Sequence, residues 1–137
     1  MGGSYEVRPV GWVESPLTDR HAAPKQGDEG APPARIILRP EFREAARDLH
    51  AGDEMIVLTW LHQGARDVLS VHPRGDTSRP ITGVFATRSP DRPNPIGLHR
   101  VRIEAVEDDA IKVSGLEAIQ DTPVIDIKPR LGRTNER

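Results

Sequence analysis

The sequence predicts a mostly β fold, a small antiparallel β-barrel of about seven short strands with one helix in a single domain. Three observations point there. Short apolar stretches, several of them alternating with polar residues, are separated by Pro, Gly and Asp at turn spacing. Only one stretch repeats its apolar residues at helical intervals. A chain of 137 residues can bury one core, and with aromatics at only 4% that core must rest on Val, Ile and Leu.

Glu6 to Ser15 reads as the first strand, anchored by Val7, Val10, Trp12 and Val13 and ended at Ser15-Pro16. Leu17 to Pro33 is a long loop rich in Pro, Gly and charge, of a length that compact domains usually keep for function. Ala34 to Leu38 is a short strand. Pro40 followed by Glu41 starts the helix, in which Phe42, Ala45, Ala46 and Leu49 share a face, and Ala51-Gly52 stops it. Glu54 to His62 is the most apolar segment and is expected to be a strand buried on both faces. Asp67 to His72 is a further strand, followed by a polar loop over Pro73 to Pro80. Leu98 to Val106 alternates, with Val101, Ile103 and Ala105 on one face and Arg100, Arg102 and Glu104 on the other. Asp108-Asp109 turns the chain into Ala110 to Val113, and Thr122 to Ile127 closes the pattern. One domain over 1–137 is expected, with mobile ends near 1–4 and 132–137.

Between these strands lies the most informative segment, Gly83 to Leu98. Val84, Phe85 and Thr87 read as the opening of a strand. Pro90, Pro93 and Pro95 then fix φ, remove backbone donors and hold their predecessors extended. Arg88, Ser89, Arg92 and Asn94 are presented from a stiff loop, the usual place for ligand contacts.

Charge adds direction. The formal net charge is −2, yet Arg66 to Arg102 contains seven arginines against Asp67, Asp76 and Asp91. Arginine suits bidentate contact with phosphate or carboxylate, although a bias of the genome toward arginine codons explains the same composition equally well. The chain has no cysteine, which excludes disulfides, thiolate zinc sites and a cysteine nucleophile. Its five histidines match no zinc spacing, so no metal is expected. No membrane-length apolar window and no secretory signal pattern occur, and a cytoplasmic protein is expected. Glycine-rich phosphate loops are missing, as is the Gly-x-Ser-x-Gly elbow of serine hydrolases.

Other candidates are open on position alone. His62-Gln63 is either a pair of strand-end polar residues or a hydrogen-bonding pair at a barrel rim. Strand alternation places Thr122, Val124, Asp126 and Lys128 on one face, with Pro123, Ile125 and Ile127 on the other. Asp126 with Lys128 is a surface ion pair or, in a cleft, a proton-balancing pair.

Five segments in this order resemble the TrmO/TsaA (YaeB-like) family of β-barrel S-adenosylmethionine-dependent methyltransferases. They are Val10-Gly11-Trp12-Val13-Glu14-Ser15-Pro16, Pro24-Lys25-Gln26, Trp60-Leu61-His62-Gln63, the Gly83 to Leu98 block, and Thr122 to Pro129. The resemblance runs from about residue 7 to 130. It implies a homodimeric enzyme outside the Rossmann class that methylates N6 of threonylcarbamoyladenosine beside the tRNA anticodon. It also implies cofactor contacts at Pro24, Lys25, Gln26, His62, Gln63, Arg88, Leu98, Gln120, Asp121, Thr122 and Pro123. Within that reading Asp126 is the candidate base, with Lys128 tuning it or holding phosphate. Arg92, Asn94, His99 and Arg130 are the candidate acceptor-binding residues.

The chain departs from the family pattern at particular positions. Asp121 stands where members carry glycine, Gln120 where they carry aspartate, His99 where they carry serine and Arg130 where they carry tyrosine. These changes, with the net negative charge, keep two other readings open: a methyltransferase acting on a small-molecule metabolite, and an S-adenosylmethionine-binding module without catalysis.

Overall fold

The structure, a computed structural model, describes residues 2–18 and 31–131. Six strands close into an antiparallel barrel and two more form a separate ribbon. The barrel strands are β1 (Gly11–Glu14), β2 (Ala34–Leu38), β3 (Glu54–Trp60), β6 (Ile96–Val106), β7 (Ala110–Ser114) and β8 (Pro123–Pro129). Their order around the barrel is β1-β2-β7-β6-β3-β8, with β8 pairing back to β1. The ribbon pairs β4 (Ser70–Val71) with β5 (Thr82–Gly83).

Alternation along each strand fills the barrel. Val13, Ile36, Leu38, Met55, Val57, Val101, Ile103, Ile111, Val113 and Val124 point inward, and Leu116 from the segment after β7 joins them. Among the described residues no aromatic belongs to this core. Inward Val101 and Ile103 and outward Arg100, Arg102 and Glu104 follow the expected phase in β6.

Several elements differ from the sequence expectation, each for a local reason. The first strand is only Gly11–Glu14, because residues before Val10 have no neighbouring strand to pair with. The helix is a 3-10 helix over Pro40–Ala46 with proline in its first turn, and Gly52 reverses the chain beyond it at φ 94°. β3 is not buried on both faces. Met55, Val57 and Thr59 are enclosed, whereas Ile56, Leu58 and Trp60 lie on the outer, partly open face. The strand expected over Asp67 to His72 shrinks to two residues, and Val84–Ala86 forms a 3-10 turn directly after β5 instead of a strand. The expected mobile tail at 132–137 and the middle of the long loop lie outside the described residues.

The alternation expected in β8 breaks at one residue. Leu58 faces Asp126 but Thr59 faces Val124, so Ile125 is the extra residue of a β-bulge. Thr122 and Val124 are buried, while Ile127 packs on the core. The bulge therefore turns Asp126 and Lys128 outward, away from the face that holds Val124.

Candidate active site

The registers bring one set of connections together. β1, β3 and β7 end at the rim where β2, β6 and β8 begin. His62 and Gln63 follow β3, Arg88 lies in the connection from β3 to β6, Leu98 is the third residue of β6, and Gln120 to Pro123 lead into β8. The connections that carry these residues thus join the barrel at one rim. Pro24, Lys25 and Gln26 fall in the connection from β1 to β2 and lie outside the described residues.

The turn before β8 is stitched to the end of β1. The Ser15 amide donates to Gln120 Oε1 at 2.7 Å, and the Gln120 amide donates to the Leu17 carbonyl at 2.6 Å. Asp121 N–H reaches the Val13 carbonyl, Val13 N–H reaches the Thr122 carbonyl, and the buried Thr122 hydroxyl donates to the Ile119 carbonyl at 2.8 Å. Asp121 adopts φ 69°, the left-handed region that glycine occupies without strain. Asp121 therefore holds the turn in a conformation that glycine favours.

The proline-rich loop is rigid through its own side chains. Arg92 donates to the carbonyls of Thr87, Ser89 and Val84 at 3.0, 2.9 and 2.9 Å. The Thr87 hydroxyl accepts from Ser89 N–H, and the Ser89 hydroxyl accepts from Asp91 N–H. The loop is clamped to the irregular segment that follows β3: Asp91 accepts from Ala65 N–H, and Arg66 donates to the Pro93 carbonyl and to Asn94 Oδ1. The Arg66 guanidinium also lies 5.2 Å from the centre of the Trp60 ring. Of the four polar residues expected to be presented, Ser89, Arg92 and Asn94 are engaged in building the loop. Arg88 is exposed and lines an open cleft beside the β4–β5 ribbon.

Asp126 and Leu98 share an outer row. Leu58 pairs with Leu98 on one side and with Asp126 on the other, which sets the two about 10 Å apart across β3. Leu98 is 47% exposed beside Ile96 at 46%, and together with Leu58 and Trp60 they make an apolar strip on the barrel wall. Asp126 Oδ2 meets Lys128 Nζ at 3.1 Å. Arg130 is not part of this group. It pairs with Glu54 at 3.2 Å, about 13 Å along the sheet toward the opposite rim.

His99 points into the barrel and is only 5% exposed. Its Nδ1 lies 2.6 Å from Glu117 Oε1 and its Nε2 lies 2.7 Å from the fully buried Thr59 Oγ1. An ionised Glu117 can only accept, so Nδ1 carries the proton and the Thr59 hydroxyl donates to Nε2 in the neutral ring. Gly97 makes room for the pair: a Cβ there would sit 2.5 Å from Thr59 Oγ1 and 2.8 Å from His99 Nε2. Sequence reading missed Thr59, Glu117 and Gly97. The signal for His99 was present, since its parity matches inward-facing Val101 and Ile103.

A family model described as the tRNA-methyltransferase O N-terminal domain matches residues 12–135. The chain belongs to the TrmO N-terminal domain family. The matched span contains every candidate site residue of the TrmO-type domain, from Pro24 to Arg130. The chain is 44% identical over 124 residues to a Methanothermobacter thermautotrophicus protein named "Probable S-adenosyl-L-methionine-binding protein", covering 90% of this chain and 88% of that one. It is 41% identical over 122 residues to an "S-adenosyl-L-methionine-binding protein" of Archaeoglobus fulgidus, covering 89% of this chain and 86% of the other. The crystal structure of TrmO from Pseudomonas aeruginosa superposes with a TM-score of 0.78 at 31% identity, covering 97% of this chain. This TrmO-family chain spans 59% of the length of that structure.

Proposed function

We propose that this chain is a cytoplasmic S-adenosylmethionine-dependent methyltransferase whose acceptor is N6 of threonylcarbamoyladenosine beside the anticodon of tRNA. The observation that supports the reading is that the segments holding His62, Gln63 and the Gln120–Pro123 turn leave or enter the barrel at the rim where β6, with Leu98, begins, while Arg88 lies in the connection from β3 to β6. The relatives named for S-adenosylmethionine binding and the structural likeness to TrmO support it.

The residues fit that cofactor. Arg88 offers an exposed guanidinium for the methionine carboxylate, Leu98 offers open apolar surface for the adenine ring, and the Gln120–Pro123 turn, whose amides are engaged by Leu17, Val13 and Ile119, offers carbonyl oxygens. When bound, S-adenosylmethionine supplies an electrophilic methyl carbon on a sulfonium. The chain's task is then to position the acceptor nitrogen in line with that carbon, at about 3 Å. Asp126, on the outer row shared with Leu98, accepts the proton that the nitrogen loses, and Lys128 orients the carboxylate. Arg92 and Asn94 hold the loop that faces the acceptor.

Exposed Ile96 and half-buried Leu58 and Trp60, beside Leu98, are the face on which a second copy of the chain packs, next to the cofactor contacts. A small-metabolite acceptor is the competing reading, favoured by the net charge of −2. Salt separates the two, because phosphate contacts make affinity fall steeply with ionic strength and a metabolite site responds little.

Two variants test the assignment. Arg88→Ala is expected to weaken S-adenosylmethionine binding about tenfold by calorimetry. Asp126→Asn is expected to lower turnover about a hundredfold with cofactor affinity unchanged. Near-normal turnover in Asp126→Asn removes the base from the account, and unchanged affinity in Arg88→Ala removes the carboxylate contact.

A further inference from the structure

The β4–β5 ribbon frames a cleft of about 990 Å³ whose lining includes His72, Arg74, Arg79, Phe85 and Arg88. We infer that this cleft holds an unpaired nucleotide of the RNA substrate, with its base stacked on Phe85 and its flanking phosphates held by Arg74 and Arg79. The inference rests on the RNA-acceptor reading and assigns to it residues outside the barrel rim.

Phe85 is 85% exposed, yet its backbone is tightly held. It is the middle residue of the 3-10 turn Val84–Ala86, whose first residue is buried and whose Val84 carbonyl accepts from both the Thr87 hydroxyl and Arg92. A solvent-facing phenyl ring on a held backbone contributes nothing to the core and gives a base a flat surface to stack on.

The facing wall is equally fixed. His72 Nδ1 donates to the Arg79 carbonyl at 2.8 Å, closing the loop between β4 and β5. Asp76 Oδ1 accepts from both the hydroxyl and the amide of Ser78 at 2.6 and 2.9 Å inside that loop. Arg74 sits at φ 55°, a left-handed conformation that a side-chain-bearing residue adopts at a cost and that concentrates at functional sites. Three guanidiniums line the cleft with one carboxylate, Asp91, which accepts from the Ala65 amide, and a second carboxylate, Asp76, sits in the loop close enough to act on Arg79 and His72. An aromatic face beside guanidiniums is the chemistry by which single-stranded nucleic acid is held: stacking for the base and charge for the phosphates. Arg88 lines the same cleft, so a nucleotide on Phe85 lies next to the position assigned to the methyl donor's carboxylate.

The test uses the intact protein, S-adenosylmethionine and tRNA bearing threonylcarbamoyladenosine. Phe85→Ala is expected to raise the KM for tRNA about tenfold, with kcat at saturating tRNA and cofactor affinity unchanged and with Phe85→Tyr restoring the KM. The Arg74→Gln/Arg79→Gln double variant is expected to reduce the slope of log affinity against log salt by about 1.5. Wild-type tRNA binding and salt slope in both variants would overturn this inference and leave the acceptor reading standing. No tRNA binding by the wild-type protein would overturn both. An altered oligomeric state in Phe85→Ala with tRNA affinity unchanged would also overturn it, and would make Phe85 a protein contact.

Discussion

His99 Nδ1 and Glu117 Oε1 meet at 2.6 Å inside the barrel, joining the middle of β6 to the segment that leads into the Gln120–Pro123 turn. With Thr59 at 2.7 Å on the other ring nitrogen, the set ties β3, β6 and the turn together below the rim. Removing the imidazole leaves a carboxylate and a hydroxyl without their partner. His99→Ala is therefore expected to lose about 2–3 kcal/mol of stability in urea denaturation. Glu117→Gln, which keeps an acceptor for Nδ1–H, is expected to lose less.

Gly97 is the position where even one methyl group is too large. An alanine Cβ would contact Thr59 Oγ1, His99 Nε2 and Leu61 Cδ2 at 2.5, 2.8 and 3.0 Å. Gly97→Ala is expected to destabilise by about 1–3 kcal/mol, and combining it with Thr59→Ala recovers part of that loss. Additive losses in the double variant would contradict the proposed crowding.

Arg92 holds the proline-rich loop through a fork that lysine cannot reproduce. Its two terminal nitrogens reach three carbonyls, so Arg92→Lys is expected to speed amide exchange of Thr87 to Arg92 by at least tenfold. Methyl transfer should fall with it, because Arg88 then loses its fixed base.

Asp121 occupies left-handed backbone at φ 69°. Asp121→Gly is expected to raise stability by about 0.5 kcal/mol without altering the turn, read as a rise in Tm.

Asp76 is held below the usual carboxylate range, first by the hydrogen bond from the Ser78 hydroxyl and then by the Ser78 amide. A depressed folded-state value means that this contact supports the loop above the ordinary aspartate range and is lost as pH falls through the depressed value. NMR titration of Ser78→Ala is expected to show Asp76 moving back up toward the ordinary value.

The barrel was legible because its strands carry strong inside–outside alternation, as in Val101-Ile103 against Arg100-Arg102. The ribbon was not. β4 and β5 are two residues each, too short for any periodicity, and Val84-Phe85 has the composition of a strand although its hydrogen bonding makes a turn. The β8 bulge was hidden for a related reason: one extra residue at Ile125 is defined by the pairing with Leu58 and Thr59, not by local sequence. At the site, the candidate cofactor residues came from the family resemblance and not from pattern, which left His62-Gln63 open. The burial of His99 and its contact with Glu117 needed the partner from a segment without regular structure.

The most direct test of the account is nucleoside mass spectrometry of tRNA bearing threonylcarbamoyladenosine after incubation with the protein and S-adenosylmethionine. The account predicts a gain of one methyl group on that nucleoside, lost in Arg88→Ala and sharply reduced in Asp126→Asn. Unmodified threonylcarbamoyladenosine, from a preparation that binds S-adenosylmethionine, would contradict the assigned acceptor.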